Sequence, residues 1–135
     1  MNRTHFRVST KSIWQSPWLV AAMPLAFLSV TPAAALDSCI IRGDRAILGE
    51  NWSATFDVKA GGGCMHGMQL QGSIATTEIA QRAQHGTVKL VDKATWTYEP
   101  SPGYQGTDGF SLKTSGQSLQ EKPGTSLIQF TVNVQ

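Results

Sequence analysis

Three consecutive motifs constrain this chain more than anything else in it: His85-Gly86-Thr87-Val88, Trp96-Thr97-Tyr98-Glu99-Pro100, and Gly103-Tyr104-Gln105-Gly106-Thr107-Asp108-Gly109-Phe110. Together they spell strand, turn, strand, corner, strand. Thr87 to Val91 and Thr95 to Tyr98 are β-prone runs separated by Asp92-Lys93-Ala94, a spacing that suits a tight hairpin. Pro100 and Pro102 stop the second run, since a prolyl nitrogen has no hydrogen to give to a ladder. Gly103, Gly106 and Gly109 then permit a loop through conformations closed to other residues. Trp96 and Tyr98 lie two apart in one strand and so share a face, where both rings can be buried.

The rest of the chain speaks the same language less distinctly. Trp52, Ala54, Phe56 and Val58 alternate with Ser53, Thr55 and Asp57, a half-buried strand ended by Gly61-Gly62-Gly63. Ser73 to Gln84 is weaker, because Ile74, Thr76, Glu78 and Ala80 do not make one apolar face. Phe110, Leu112 and Thr114 continue as a strand ended by Ser115-Gly116, and the polar segment Gln117 to Gly124, which holds Pro123, reads as a loop. Ile128, Phe130, Val132 and Val134 alternate with Gln129, Thr131 and Asn133 in the clearest strand of all. No stretch of ten residues carries the apolar three-and-four spacing of a helix. About seven short strands at regular intervals predict an all-β, antiparallel sandwich.

The central motifs resemble the repeat unit of bacterial cadherin-like and immunoglobulin-like domains, which read HGT-V, then F/W-x-Y-x-P, then GY/F-x-GTD-x-F, then a run of alternating valines. The resemblance covers about residues 74 to 135. It implies a single immunoglobulin-like (cadherin-like) β-sandwich in which His85, Gly86, Trp96, Tyr98, Pro100, Tyr104, Gly106, Asp108 and Phe110 are structural. Tyr104 stands where such sandwiches place a tyrosine corner, its hydroxyl bonded to nearby backbone. Asp108 is expected to accept hydrogen bonds from loop amides.

The first 35 residues read as a secretory signal and not as part of the domain, which leaves residues 36–135 as one sandwich. Arg3, Arg7 and Lys11 make a positive start, Leu19 to Val30 is an uncharged apolar run, and Thr31-Pro32-Ala33-Ala34-Ala35 offers the small residues of a cleavage site. The run is short for a bilayer core of about 30 Å, which disfavours the competing reading of an uncleaved anchor. Without that segment, eight Lys and Arg face nine Asp and Glu, a net charge near −1. Such a balance carries no footprint for nucleic acid or for an anionic membrane.

Export lets Cys39 and Cys64, the only cysteines, oxidise to one disulfide. A lipoprotein acylated at Cys39 is the alternative, but Asp37 suits a lipobox poorly and Cys64 would be left alone. A compartment that permits disulfides places the protein in the periplasm or outside the cell.

Few residues suggest chemistry. Cys64-Met65-His66-Gly67-Met68 gathers soft ligands of the kind that suit cuprous copper, which makes Met65, His66 and Met68 candidates for a periplasmic metal carrier. The plainer reading packs a methionine in the core and leaves His66 at the surface. Calcium ligands of cadherin-like junctions would fall on Asp108 and Glu99, yet the last strand ends at Val134-Gln135 without the acidic junction of tandem arrays. His66 and His85 are the only histidines outside the leader, and no nucleophile elbow, paired-carboxylate motif or phosphate loop accompanies them. No catalytic residue and no cofactor is expected. Asn51-Trp52-Ser53 is formally a glycosylation acceptor. The sequence therefore points to a non-catalytic module of the cell envelope that binds a protein or glycan, with recognition expected on Gly61 to Met68, on Gln117 to Gly124, or along an edge strand.

Overall fold

The computed structural model describes residues 36–43 and 46–135. The leader expected over residues 1–35 lies outside the described residues. The described chain forms nine strands in two sheets: β1 (Asp37–Ser38), β2 (Arg42–Gly43), β3 (Trp52–Val58), β4 (Cys64–Gly67), β5 (Ser73–Gln81), β6 (Gly86–Leu90), β7 (Thr95–Pro100), β8 (Gly106–Gln117) and β9 (Pro123–Val134). One sheet has the order β1-β4-β7-β6 and the other β2-β3-β9-β8-β5. That is the immunoglobulin arrangement, in which β4, β7 and β6 answer to strands B, E and D, and β5, β8 and β9 to C, F and G. The runs read as strands correspond to β3 and to β5 through β9, and β4, within the Cys64 to Met68 segment, brings them to the expected total of about seven. The two extra ones are two-residue pairings along the N-terminal strap.

The sandwich is not antiparallel throughout. β3 runs parallel to β9 over seven residue pairs, from Trp52↔Ile128 to Val58↔Val134, and β1 runs parallel to β4. These parallel pairings are non-local, between segments far apart in sequence, so hairpin spacing gave no hint of them.

Alternation explains which faces meet. Ile128, Phe130, Val132 and Val134 of β9 and Ala54, Phe56 and Val58 of β3 all turn inward and are buried. From the opposite sheet, β7 supplies Trp96 and Tyr98, both with no exposed surface. Trp96 lies 5.5 Å from Phe56, 5.1 Å from Phe110 and 4.8 Å from Phe130, so one ring of the first sheet fastens three of the second. Each such burial is worth roughly 1.5–3 kcal/mol.

Two boundaries differ from expectation. β8 begins at Gly106 and runs through Gly109 and Gly116 to Gln117, although the glycines suggested a loop before it and a stop within it. Pro123 and Gly124 belong to β9, so the connecting turn shrinks to Ser118–Lys122, where Ser118 N donates to Lys122 O and Glu121 takes a left-handed φ of 58°. The cause is the ladder itself: twelve consecutive β8–β9 pairs, Gly106↔Val134 to Gln117↔Pro123, override the local preference of single glycines.

Candidate functional site

At one end of the sandwich the central motifs converge on Asp108, which is 6% exposed. Its Oδ1 accepts hydrogen bonds from Gln84 N at 3.0 Å and Gly109 N at 2.8 Å, and its Oδ2 from His85 N at 3.0 Å and the Tyr98 hydroxyl at 2.9 Å. Burial pushes the Asp108 carboxyl up, but these bonds override it and hold the group below the usual carboxylate range. Burial, and then the same contact with Asp108, raise the Tyr98 phenol.

Gly86 is required beside this hub, because a Cβ there would sit 2.6–2.7 Å from atoms of the Tyr98 ring. His85 stacks on Tyr104 with centroids 4.1 Å apart, and the Tyr104 hydroxyl donates to Thr107 O at 2.7 Å. Phe110 is buried in the core and Pro100 pairs with Gly86 at the end of β7. With every carboxylate lone pair of Asp108 engaged and Glu99 exposed on the outer face of β7, the arrangement is a structural clasp.

The segment Cys64 to Met68 is placed differently from a metal site. Cys64 is bonded to Cys39, with Cα atoms 5.0 Å apart, which also uses the sulfur that acylation would need. Met65 is 44% exposed on the outer face, while Met68 is buried in the core. His66 is half-buried rather than at the surface, its ring 5.6 Å from that of Trp96, and desolvation lowers its pKa although a hydrogen bond to the Cys39 backbone opposes this. Among the described residues no three His, Cys, Asp or Glu side chains converge as metal ligands. His66 pairs with Trp96, and His85 O accepts from Ser101 N just past the end of β7, so their partners lie five residues, about 17 Å, apart along the chain and the histidines on opposite sides of it. The two histidines therefore do not share a site. Asn51 of the glycosylation triplet accepts from Leu127 N at 2.8 Å.

A concavity lies elsewhere, on the flank where the strap crosses from one sheet to the other. β1 pairs with β4 at Asp37↔Cys64 and Ser38↔Met65, and β2 pairs with β3 at Arg42↔Thr55 and Gly43↔Ala54. Between these anchors the chain passes over a cleft of about 450 Å³, lined by Ile40, Arg42, Asp57, Val58, Lys59 and Gly63 among others. Cys39 is buried by its disulfide, Ile41 packs on the core, and Ile40 stands 77% exposed at the rim.

Hydrogen bonds give the direction of the backbone here. Cys39 N donates to Met65 O, so the main chain of Ser38 and Ile40 points away from β4. Gln135 N donates to Val58 O, so the main chain of Asp57 points away from β9. Both sets of groups face the flank. The Asp57 carboxylate is fixed by Arg42, at 2.6 and 2.9 Å, and by Asn133 at 2.9 Å, which hold its pKa down to about 2.

With two sheets in immunoglobulin order and the clasp in place, comparison with known families is decisive: the model for a bacterial Ig domain matches residues 31–133. The chain belongs to that family. No curated protein matches this Ig domain. A bacterial Ig domain is typically a non-catalytic module, and a disulfide accords with a place outside the cytoplasm. Among the described residues no helix is long and apolar enough to cross a membrane.

Of the Ig domain's two segments expected to carry recognition, the first contributes Gly62, Gly63 and Cys64 to the strap cleft, and the second is reduced to a tight turn. Ile40, Arg42 and Asp57 were not foreseen. Their one trace in the sequence is Ile40-Ile41 directly after Cys39, an apolar pair of which a disulfide-anchored strap can bury only one.

Proposed function

We propose that this Ig domain is an exported, non-catalytic binding module of the cell envelope, and that it recognises an extended protein segment in the strap cleft. The leader-like sequence of residues 1–35 and the disulfide support export, and residues 36–135 then form the working domain. The observation that carries the binding reading is the cleft itself. It offers main-chain groups of two strand edges together with an aliphatic side chain, Ile40, kept in solvent beside it. Strand addition uses those features: backbone hydrogen bonds give affinity and alternate side chains give specificity. None of the described residues lining the cleft is aromatic, so it has no ring on which a sugar face can stack, and this favours protein over glycan.

The test is a photo-crosslinking residue placed at Ile40 and, as a control, at Leu119, which is also exposed, in cells that express the full chain. One protein captured from position 40 and not from 119, and lost when Arg42 and Asp57 are both replaced by Ala, supports the reading. Equal capture from both positions removes it.

A further inference from the structure

The opposite flank of the sandwich, between β5 and β6, holds a second unoccupied edge. β6 ends its sheet, and its pairing with β7 fixes which groups are free. Val91 N donates to Thr95 O, and Ser101 N donates to His85 O. The pairs between them, Thr87↔Glu99 and Lys89↔Thr97, fall on the same two-residue alternation and are the hydrogen-bonded ones. The N–H and C=O groups of Val88 and Leu90 therefore point away from β7. β5, the edge of the other sheet, is interrupted by register shifts at Ile74/Thr76 and Ile79/Gln81, which blunt it against pairing. The β6–β7 ladder has no such shift.

Beside this edge lies a cleft of about 270 Å³ with Ile79, Ala83 and Val88 as its apolar lining and Arg82 and Thr87 among its polar residues. The charges around it are unbalanced. Arg82, Lys89 and Lys93 are all exposed, and the ion pairs among the described residues, Arg42–Asp57 and Glu78–Lys113, include none of them. Of the nearby acids, Asp92 accepts from Ala94 N and keeps its charge beside Lys93, and Glu99 lies on the outer face with Thr87 and Lys89, so the three cations exceed the two acids.

We infer that the β6 edge is a docking site for an extended, acidic polypeptide segment, which adds to the sheet as a fifth strand. Main-chain bonds form to Val88 and Leu90, one aliphatic side chain of the segment enters the Ile79–Ala83–Val88 cleft, and its carboxylates meet Arg82 and Lys89. The site lies on the far side of the sandwich from the strap cleft and does not rest on the reading proposed for it.

The test is a titration of the isotopically labelled full chain, followed by NMR, with the capped peptide Asp-Val-Glu-Val-Thr-Val-Glu and its Asn/Gln counterpart. The expected result is shifted, exchange-protected amides at Val88 and Leu90. The acidic peptide should bind about tenfold or more tightly than the neutral one, with affinity falling as salt rises. Arg82→Glu should abolish the difference between the peptides while amides remote from position 82 keep their shifts in the free protein, and Ile40→Asp should leave binding intact. Equal affinity for the two peptides, shifts confined to Ile40 and Asp57, or no binding at millimolar peptide overturns the proposal. Concentration-dependent dimerisation through Val88 and Leu90 in the absence of peptide also overturns it, since the occupant is then a second copy of the chain.

Discussion

Replacing Asp108 by Asn keeps the size of the hub and removes one of its two acceptor oxygens, so its cost can be worked out bond by bond. With the new NH2 group on the Oδ2 side, His85 N–H loses its acceptor, while the Tyr98 hydroxyl can rotate to accept from the amide. With the amide the other way round, both Gln84 N and Gly109 N are stranded, so the first orientation prevails. A buried N–H without a partner costs about 1–3 kcal/mol, and each remaining bond falls from the charged range of about 1.5–3 to the neutral range of about 0.5–1.5 kcal/mol. The expected loss is about 3–5 kcal/mol, a large share of the roughly 5–15 kcal/mol that holds a typical domain. Asp108→Ala strands all four donors and costs more.

The pH dependence has a definite sign. The Asp108 carboxyl is depressed in the folded state, so its contribution is present above the unfolded value of about 3.9 and is lost as pH falls through the folded value. The gap in stability between the wild type and Asp108→Asn should therefore narrow as pH falls below the unfolded value of about 3.9. Asp57 and Asp92 are depressed as well, but they are present in both proteins and cancel in the difference. Urea unfolding followed by tryptophan fluorescence, with the disulfide intact, measures both effects. A loss below about 1 kcal/mol at neutral pH, or a gap that does not close in acid, refutes the clasp.

Gly86→Ala should cost about 1–3 kcal/mol in the same assay, because its Cβ would meet the Tyr98 ring at 2.6 Å. Met68→Ala should cost about 2–5 kcal/mol, as a buried core residue does, whereas Met65→Ala should stay within about 0.5 kcal/mol. The double replacement of Cys39 and Cys64 by Ser opens a loop of 25 residues and should cost about 3 kcal/mol. Hydrogen exchange should then show Cys39 and the strap amides unprotected while the β8–β9 ladder keeps its protection.

What could be read in the sequence was what depends on near neighbours. The alternations of Trp52–Val58 and Ile128–Val134, the Asp92-Lys93-Ala94 hairpin turn and the shared face of Trp96 and Tyr98 follow from periods and turn chemistry within a few residues. The role of Asp108 as an acceptor for loop amides was legible through the motif, although the Tyr98 hydroxyl among its donors was not. The ends of β8 and β9 were misjudged because their glycines and proline were weighed alone, without the twelve-pair ladder that overrules them. The strap cleft was hidden for a stronger reason. Arg42 meets Asp57, and Asp57 meets Asn133, across separations of 15 and 76 residues, and no local pattern encodes such pairings.

The same reasoning separates scaffold from recognition. The patterned residues His85 to Phe110 spend their polar groups on one another: Asp108 is saturated, the Tyr104 hydroxyl is bonded and the His85 ring is stacked, so little is left to offer a ligand. Unspent hydrogen-bonding capacity collects where sheets end. On one flank it belongs to Ser38, Ile40 and Asp57, and on the other to Val88 and Leu90, with three or four strand spacings of about 4.8 Å between the flanks. Partners added outside the two edges would stand five or six such spacings, about 24–29 Å, apart with the sheets between them, so occupation of one leaves the other open. An Ig domain that engages both joins two extended segments without a second domain. A peptide bound at Val88 should accordingly leave the yield of crosslinking from position 40 unchanged, and competition between them would show that the two edges are not independent.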